Sequence, residues 1–296
     1  MSYQTILYTT DEQIATITLN QPDELNTIVP PMPDEVEDAV NSAVRDESVK
    51  VIVLRGAGRA FCAGYRTGSG FGYDDQFSTD GRWDPGKDMM LTTAAATSPH
   101  QKFMSIWRSP KPVIAQVHGW CLGGGSDYAL CADMVIASED AQIGTPYSRV
   151  WGAYLSGMWI YRLGLTRAKY HALTGRPLSG REAADVGLIN VAVPFADLEA
   201  TVRAQAAELA SLPMGQIAAQ KLMVNQAYEN MGLASTQTLG AILDGIMRNI
   251  PEAHAFMEHA AAQGVSSAVA QRDGKFGDYS QAPPDRKPDP SHIIEP

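Results

Sequence analysis

Twice in this chain a run of branched apolar residues leads directly into clustered glycines, and few folds accommodate that arrangement. The first stretch is Val51-Ile52-Val53-Leu54-Arg55-Gly56-Ala57-Gly58-Arg59-Ala60-Phe61-Cys62-Ala63-Gly64-Tyr65. The second runs from Pro112-Val113-Ile114-Ala115-Gln116-Val117 through His118 and Gly119 to Cys121-Leu122-Gly123-Gly124-Gly125-Ser126-Asp127. Short continuous apolar runs are the pattern of strands buried on both faces. Similar runs occur at Met134-Val135-Ile136-Ala137 and Val191-Ala192-Val193, and helical spacing intervenes at about 126–132, 156–163, 166–173 and 179–186. Strands alternating with helices predict an α/β fold.

Ahead of these, residues 3–8 and 13–19 alternate apolar and polar around Thr9-Thr10-Asp11-Glu12, which predicts a β-hairpin. After Pro30, Pro31 and Pro33, Val36, Ala39, Val40, Ala43 and Val44 recur at helical spacing, and Asp34, Glu35 and Glu37 suit a helix start. The spacing predicts a core domain over 1–195, a helical part over 196–270 that packs on the core or on another subunit, and a proline-rich extended tail over 271–296. Residues 66–100 carry Gly68, Gly70, Gly72, Gly81 and Gly86 among Phe71, Tyr73, Phe77 and Trp83 without clear periodicity. A stretch of that kind is usually functional or disordered.

The glycines narrow the chemistry. Gly56-Ala57-Gly58 follows a strand as a dinucleotide-binding turn would, but Phe61 stands where the third glycine belongs. No GxxxxGK[ST] loop is present, and Ser126 lacks the second glycine of GxSxG. Gly123-Gly124-Gly125 precedes a helix-compatible run. Such a turn lets backbone N–H groups approach a ligand and stabilise negative charge, or it simply lets strand and helix pack closely; the triplet alone leaves both readings open.

Charge and composition exclude several classes. Lys and Arg total 23 against 33 Asp and Glu, a net charge of −10, which gives no global field for nucleic acid. Three cysteines with no CxxC pair indicate neither a disulfide framework nor a zinc site, and no HExxH surrounds His254 and His259. No apolar run reaches membrane-spanning length, and the N-terminus lacks the pattern of a signal peptide, so a soluble cytoplasmic protein is expected.

In combination these motifs are far more specific. Leu19-Asn20-Gln21-Pro22-Asp23-Glu24-Leu25-Asn26, the two glycine-bearing stretches, Gly144-Thr145-Pro146, Tyr161-Arg162-Leu163-Gly164, Leu173-Thr174-Gly175-Arg176-Pro177-Leu178-Ser179 and Ala183-Ala184-Asp185-Val186-Gly187-Leu188 occur in order. Over roughly 3–280 this resembles the enoyl-CoA hydratase/isomerase family, the crotonase superfamily. The resemblance implies an α/β spiral of ββα units with a helical C-terminal trimerisation part, assembled as a homotrimer or homohexamer. It implies an acyl-CoA thioester as substrate, of the fatty-acyl type, with no external cofactor because CoA arrives on the substrate. Two backbone N–H groups, of Tyr65 and Gly124, would hold the enolate oxygen. Leu25, Ala63, Gly64 and Gly123 would border the substrate, Trp151 and Tyr154 would line the acyl pocket, and Lys275 would lie near CoA.

Three departures from the family pattern bear on the reaction. Asp127 takes the place of the glutamate that hydratases carry two residues after the triple glycine; as a first-turn acid it would also complement the helix dipole. The second hydratase glutamate corresponds to Tyr147 or Ser148, neither a carboxylate. Glu24 replaces a basic residue frequently found before the Leu-Asn pair. Asp74 and Asp75, in the stretch that borders the acyl site in the family, are candidates for a missing acid, and His118 is expected to be structural. Hydration or isomerisation of an enoyl-CoA is the leading expectation; hydrolysis of an acyl-CoA and non-catalytic acyl-CoA binding are the alternatives.

Overall fold

The computed structural model describes residues 3–66 and 75–279. Strands β1 (Ile6–Asp11), β2 (Ile14–Leu19), β3 (Val51–Gly56) and β4 (Ala60–Cys62) open the fold, with helix α1 (Met32–Arg45) between β2 and β3. A small ribbon, β5 (Ser78–Thr79) and β6 (Arg82–Trp83), precedes α2 (Pro85–Thr93) and α3 (Pro99–Arg108). Then come β7 (Val113–Val117), β8 (Trp120–Leu122), α4 (Gly124–Leu130), β9 (Met134–Ser138) and β10 (Gln142–Gly144). Next are α5 (Met158–Leu163), α6 (Leu165–Thr174), β11 (Leu178–Ser179), α7 (Gly180–Asp185) and β12 (Val191–Val193). The chain continues helical: α8 (Phe195–Ser211), α9 (Met214–Asn230), α10 (Leu233–Met247), α11 (Pro251–Gln263) and α12 (Val265–Asp273).

The strands sort into two main sheets. A six-stranded sheet has the order β1-β2-β3-β7-β9-β12, with only β1–β2 antiparallel. A four-stranded sheet of short strands has the order β11-β10-β8-β4, parallel except at β10–β11. Each of β3, β7 and β9 in the large sheet is followed by a short partner in the small one, which is the expected ββα alternation. Side chains on a strand point alternately to its two faces. Ile52 and Leu54 therefore enter the main core with Phe61, Phe103 and Trp159. Val51 and Val53 face the other way, onto Leu198, Val202, Ala206 and Ala210 of α8.

The described part of the next stretch, residues 75–100, is more regular than its sequence pattern suggests. Asp84 caps α2, its side chain accepting from the N–H groups of Gly86 and Lys87, with Pro85 at the first helical position. Arg248, which caps the C-terminus of α10, pairs with Asp88 of α2 at 2.9 Å. Gly245 makes this approach possible: a Cβ there would lie 2.9 Å from an Asp88 oxygen. Asp74 and the tail beyond Tyr279 lie outside the described residues, and Asp75 begins a single 3-10 turn. Among the described residues no helix is long and apolar enough to cross a membrane, and none group as a three-residue metal site.

Candidate active site

β4 and β8 are adjacent and parallel, with Cys62 opposite Cys121, so the segments that follow them leave the same edge of the small sheet together. Ala63-Gly64-Tyr65 thereby lies against Leu122-Gly123-Gly124. A Cβ on Gly64 would come 2.9 Å from Leu122 O and 3.7 Å from Gly124 N. Gly64 at φ 92° and Gly123 at φ 51° use the left-handed region that glycine tolerates. Gly124 is the first residue of α4, so its N–H has no acceptor within the helix. The Tyr65 ring packs on the Cα of Gly124: a Cβ there would meet that ring at 2.6 Å.

The first loop fastens this corner. Asn26, fully buried, donates to Ala57 O and Ala60 O at 2.8 Å each and accepts from Gln21 N–H. Leu25 O accepts from Ala63 N–H at 3.0 Å, and Ile28 N–H donates to Gly64 O at 2.8 Å. Leu25 and Ala63 are half-buried beside the turn. His118 bonds Gly58 O through Nε2 at 2.7 Å, a backbone tie of the structural kind expected for it.

Asp127 is carried inward on the first turn of α4 and is 1% exposed. Its Oδ1 accepts from Ser156 Oγ at 2.5 Å and from Ser156 N–H at 3.1 Å. Its Oδ2 accepts from the Tyr147 hydroxyl at 3.1 Å. Burial pushes its pKa up to about 6 against these three donors, which pull it down, and the nearby Asp244 carboxylate adds to the rise. Tyr147 is pushed well above its ordinary value by burial, then by Asp127 and Asp244, so its hydroxyl stays protonated. Gly152 makes room for the Tyr147 ring, which a Cβ there would strike at 2.2 Å. Ser148, the other position matched to the second glutamate, is exposed.

A pocket of about 650 Å³, partly open to solvent, adjoins this corner. Its walls include Tyr65, Phe77, Tyr147 and Trp151, with His100, Asp244 and Arg248 among the polar groups. Trp151 is braced edge-on by Phe256 of α11, at 5.5 Å between ring centroids. Tyr154 is not among the wall residues; it lies edge-on to Tyr147 at 6.0 Å between ring centroids and stacks on Trp159 at 5.8 Å. Asp127 does not itself line the pocket; Tyr147 stands between them. Burial holds His100 down to about 4, and its ring bonds Ser98 Oγ at 2.7 Å, so it is neutral at physiological pH.

Lys275 is exposed and lies over the Phe276 ring at 4.9 Å, away from the pocket walls. Its segment is anchored by Arg149, which pairs with Asp278 at 2.6 Å and Asp273 at 3.1 Å. Sequence reasoning missed Ser156, Asp244 and Arg248. For the last two the only signal was acid and base four apart on one helix, a pattern shared with ordinary surface pairs.

Comparison with known proteins gives a consistent result. The family model described as enoyl-CoA hydratase/isomerase matches residues 9–243. A curated relative from Rhodobacter capsulatus, named "Probable enoyl-CoA hydratase", is 35% identical over 233 residues, covering 78% of this chain and 84% of its own. The 1,2-epoxyphenylacetyl-CoA isomerase of Escherichia coli is 29% identical over 275 residues, covering 92% and 97% of the two chains. The crystal structure of an enoyl-CoA hydratase from Mycobacterium smegmatis superposes with a TM-score of 0.88 at 36% identity, covering 96% of this chain and 98% of the other.

Proposed function

Because the chain belongs to the enoyl-CoA hydratase/isomerase family, we propose that it hydrates or isomerises an enoyl-CoA thioester through an enolate held at the Tyr65–Gly124 corner. The observation that carries this reading is the juxtaposition of that backbone corner with the hydrogen-bonded pair of buried Asp127 and half-buried Tyr147 beside one pocket. The thioester oxygen gains charge as electrons move onto it, and the N–H groups of Tyr65 and Gly124 bond it there. Each such donor is worth roughly 3–4 kcal/mol of barrier.

Asp127 supplies the proton chemistry. A carboxyl with a pKa of about 6 is partly protonated at neutral pH and exchanges its proton readily in either direction. Tyr147 passes the proton on: its oxygen gives one to C2 of the enolate while taking one from Asp127, and the reverse sequence removes a proton from C2. Ser156 fixes the far oxygen of Asp127, so the near one faces Tyr147. The acyl group fills the aromatic-walled pocket. The CoA portion lies outside it, and Leu25, Ala63, Gly64 and Gly123 border the thioester. We place Lys275 near the CoA tail, and the exposed Leu222, Met223 and Val224 of α9 in a trimer or hexamer interface.

The test is to incubate the protein with trans-2-enoyl-CoA and 3-enoyl-CoA thioesters of several lengths, reading the conjugated thioester absorbance and product mass. Gain of one water establishes hydration, and appearance of conjugation from the 3-enoyl substrate establishes isomerisation. Release of free CoA instead would favour a hydrolase, for which the same hole serves. Tight binding with no product and no exchange of the C2 hydrogens in deuterated water would overturn the enzymatic reading.

A further inference from the structure

The pocket contains a carboxylate that the sequence motifs do not account for. Asp244 comes from α10, in the helical C-terminal part, and is a wall residue of the pocket together with Tyr65, Tyr147 and Trp151. Its side chain is 18% exposed, against 2% for Asp88. Asp127 and Tyr147 both feel its charge, so the three groups share one electrostatic neighbourhood.

Its surroundings argue against a purely architectural ion pair. Arg248 serves two acids. It bonds both oxygens of Asp88, at 2.9 and 3.1 Å, and Asp88 also accepts from Trp83 Nε1 at 2.8 Å. One buried carboxylate already balances one guanidinium, and that set ties α2 to α10 without Asp244. Asp244 is held more lightly, by Arg248 Nε at 2.9 Å on Oδ2 and by the Ala153 N–H. A second carboxylate beside a satisfied arginine costs desolvation and returns little as structure. Burial raises its pKa, opposed by Arg248 and assisted by Asp88. That suits a group that exchanges protons.

We propose that Asp244 is a catalytic residue, the carboxylate that holds and deprotonates the water adding to C3 of an enoyl-CoA. The proposal rests on the acyl-CoA reading above and supplies the acid that position 147 lacks. In the step, the water oxygen bonds to C3 as its proton passes to Asp244. The C2–C3 π pair shifts to form the enolate, with its charge on the thioester oxygen. The proton arriving through Tyr147 from Asp127 then closes C2. Asp244 has gained one proton and Asp127 has lost one, and both reset by exchange with solvent. Arg248 keeps the idle oxygen of Asp244 directed away and stabilises the ionised form.

The experiment compares the native enzyme, Asp244→Asn and Asp88→Asn on a trans-2-enoyl-CoA, reading hydration by product mass. In parallel, exchange of the C2 hydrogens of a saturated acyl-CoA in deuterated water is read by mass spectrometry, and each fold is checked by thermal melting. The proposal expects Asp244→Asn to lose hydration at least a hundredfold while C2 exchange falls less than fivefold. Asp88→Asn breaks the same network from the side away from the pocket, so it should lower the melting temperature with a far smaller loss of hydration. Equal losses of hydration in the two variants, equal losses of hydration and exchange in Asp244→Asn, or full hydration in Asp244→Asn each overturn it. A native enzyme that exchanges C2 hydrogens without hydrating removes this role for Asp244 and leaves the enolate reading standing; one that does neither removes both.

Discussion

The Tyr147 hydroxyl donates to Asp127 Oδ2 at 3.1 Å, so one of the two residues expected where a second glutamate would stand is tied to the acid that is present. The bond links the 3-10 turn after β10 to the first turn of α4. It also places a neutral hydroxyl, and not a carboxylate, at the pocket face of the pair.

Asp127→Asn should abolish turnover and stabilise the protein. A positioned acid or base contributes about 10²- to 10⁴-fold, so kcat should fall by that range. Burial lifts the folded carboxyl from 3.8 to about 6. Between those values the folded protein holds a proton that the unfolded chain has released, so stability declines as pH rises through that window. Removing the charge should therefore add on the order of 3 kcal/mol above pH 6, at roughly 1.4 kcal/mol per pH unit. Urea unfolding of both proteins across pH checks this: the gain should be present at pH 7.5 and close towards pH 4.

Tyr147→Phe keeps the ring that Gly152 accommodates and removes only the hydroxyl. Enoyl-CoA turnover should fall about 100-fold, the lower end for loss of a proton-transfer partner. Asp127 loses a donor to its ionised form, so its pKa should rise further, and carboxyl titration followed by infrared difference spectroscopy reads that shift. An unaltered titration with full activity would show that the hydroxyl bond is incidental.

The two α4 glycines should fail differently. Gly124→Ala drives a methyl into the Tyr65 ring, 2.6 Å away, which a side chain can partly relieve. Its cost should be about 1–3 kcal/mol, with kcat reduced through displacement of the proposed oxyanion corner. Gly125→Ala meets backbone, Cys62 O at 2.3 Å, and should yield little folded protein. Melting curves and soluble yield separate the two.

Arg149→Met should release the C-terminal segment. The arginine is 4% exposed and pairs with Asp273, whose side chain is 0% exposed, and with Asp278. It also donates to Thr174 O at 3.1 Å. Breaking a buried pair from one side typically costs about 3–5 kcal/mol. Limited proteolysis should then cut near residues 274–279 in the variant before the native chain is touched.

The long strands were legible because β3, β7 and β9 are buried on both faces and read as continuous branched runs. The partners β4, β8 and β10 were not. At three residues each, beside glycines, they carry too few positions to show a period. The adjacency of Tyr65, Gly124 and Asp127 followed from motif order, whereas order alone could not tell that Tyr147 bonds Asp127 while Ser148 is exposed. The remaining pocket wall was hidden because Thr92, His100, Asp244 and Arg248 come from three helices that meet only in the folded molecule. In α2, Pro85-Gly86 and Thr92-Thr93 weaken the helical pattern, although Asp84 before Pro85 was a readable cap.

Gly245 admits Asp88 to the surface of α10, and Arg248 then joins α2 to α10 as a single piece. The Tyr65–Gly124 corner hangs on the parallel strands β4 and β8, whereas this joined pair contributes Thr92, Ala241, Asp244 and Arg248 to the pocket wall. Changes at Asp88, Gly245 and Arg248 are accordingly expected to occur together. A lineage built on this scaffold would reshape that wall at several positions at once and leave the glycine corner in place.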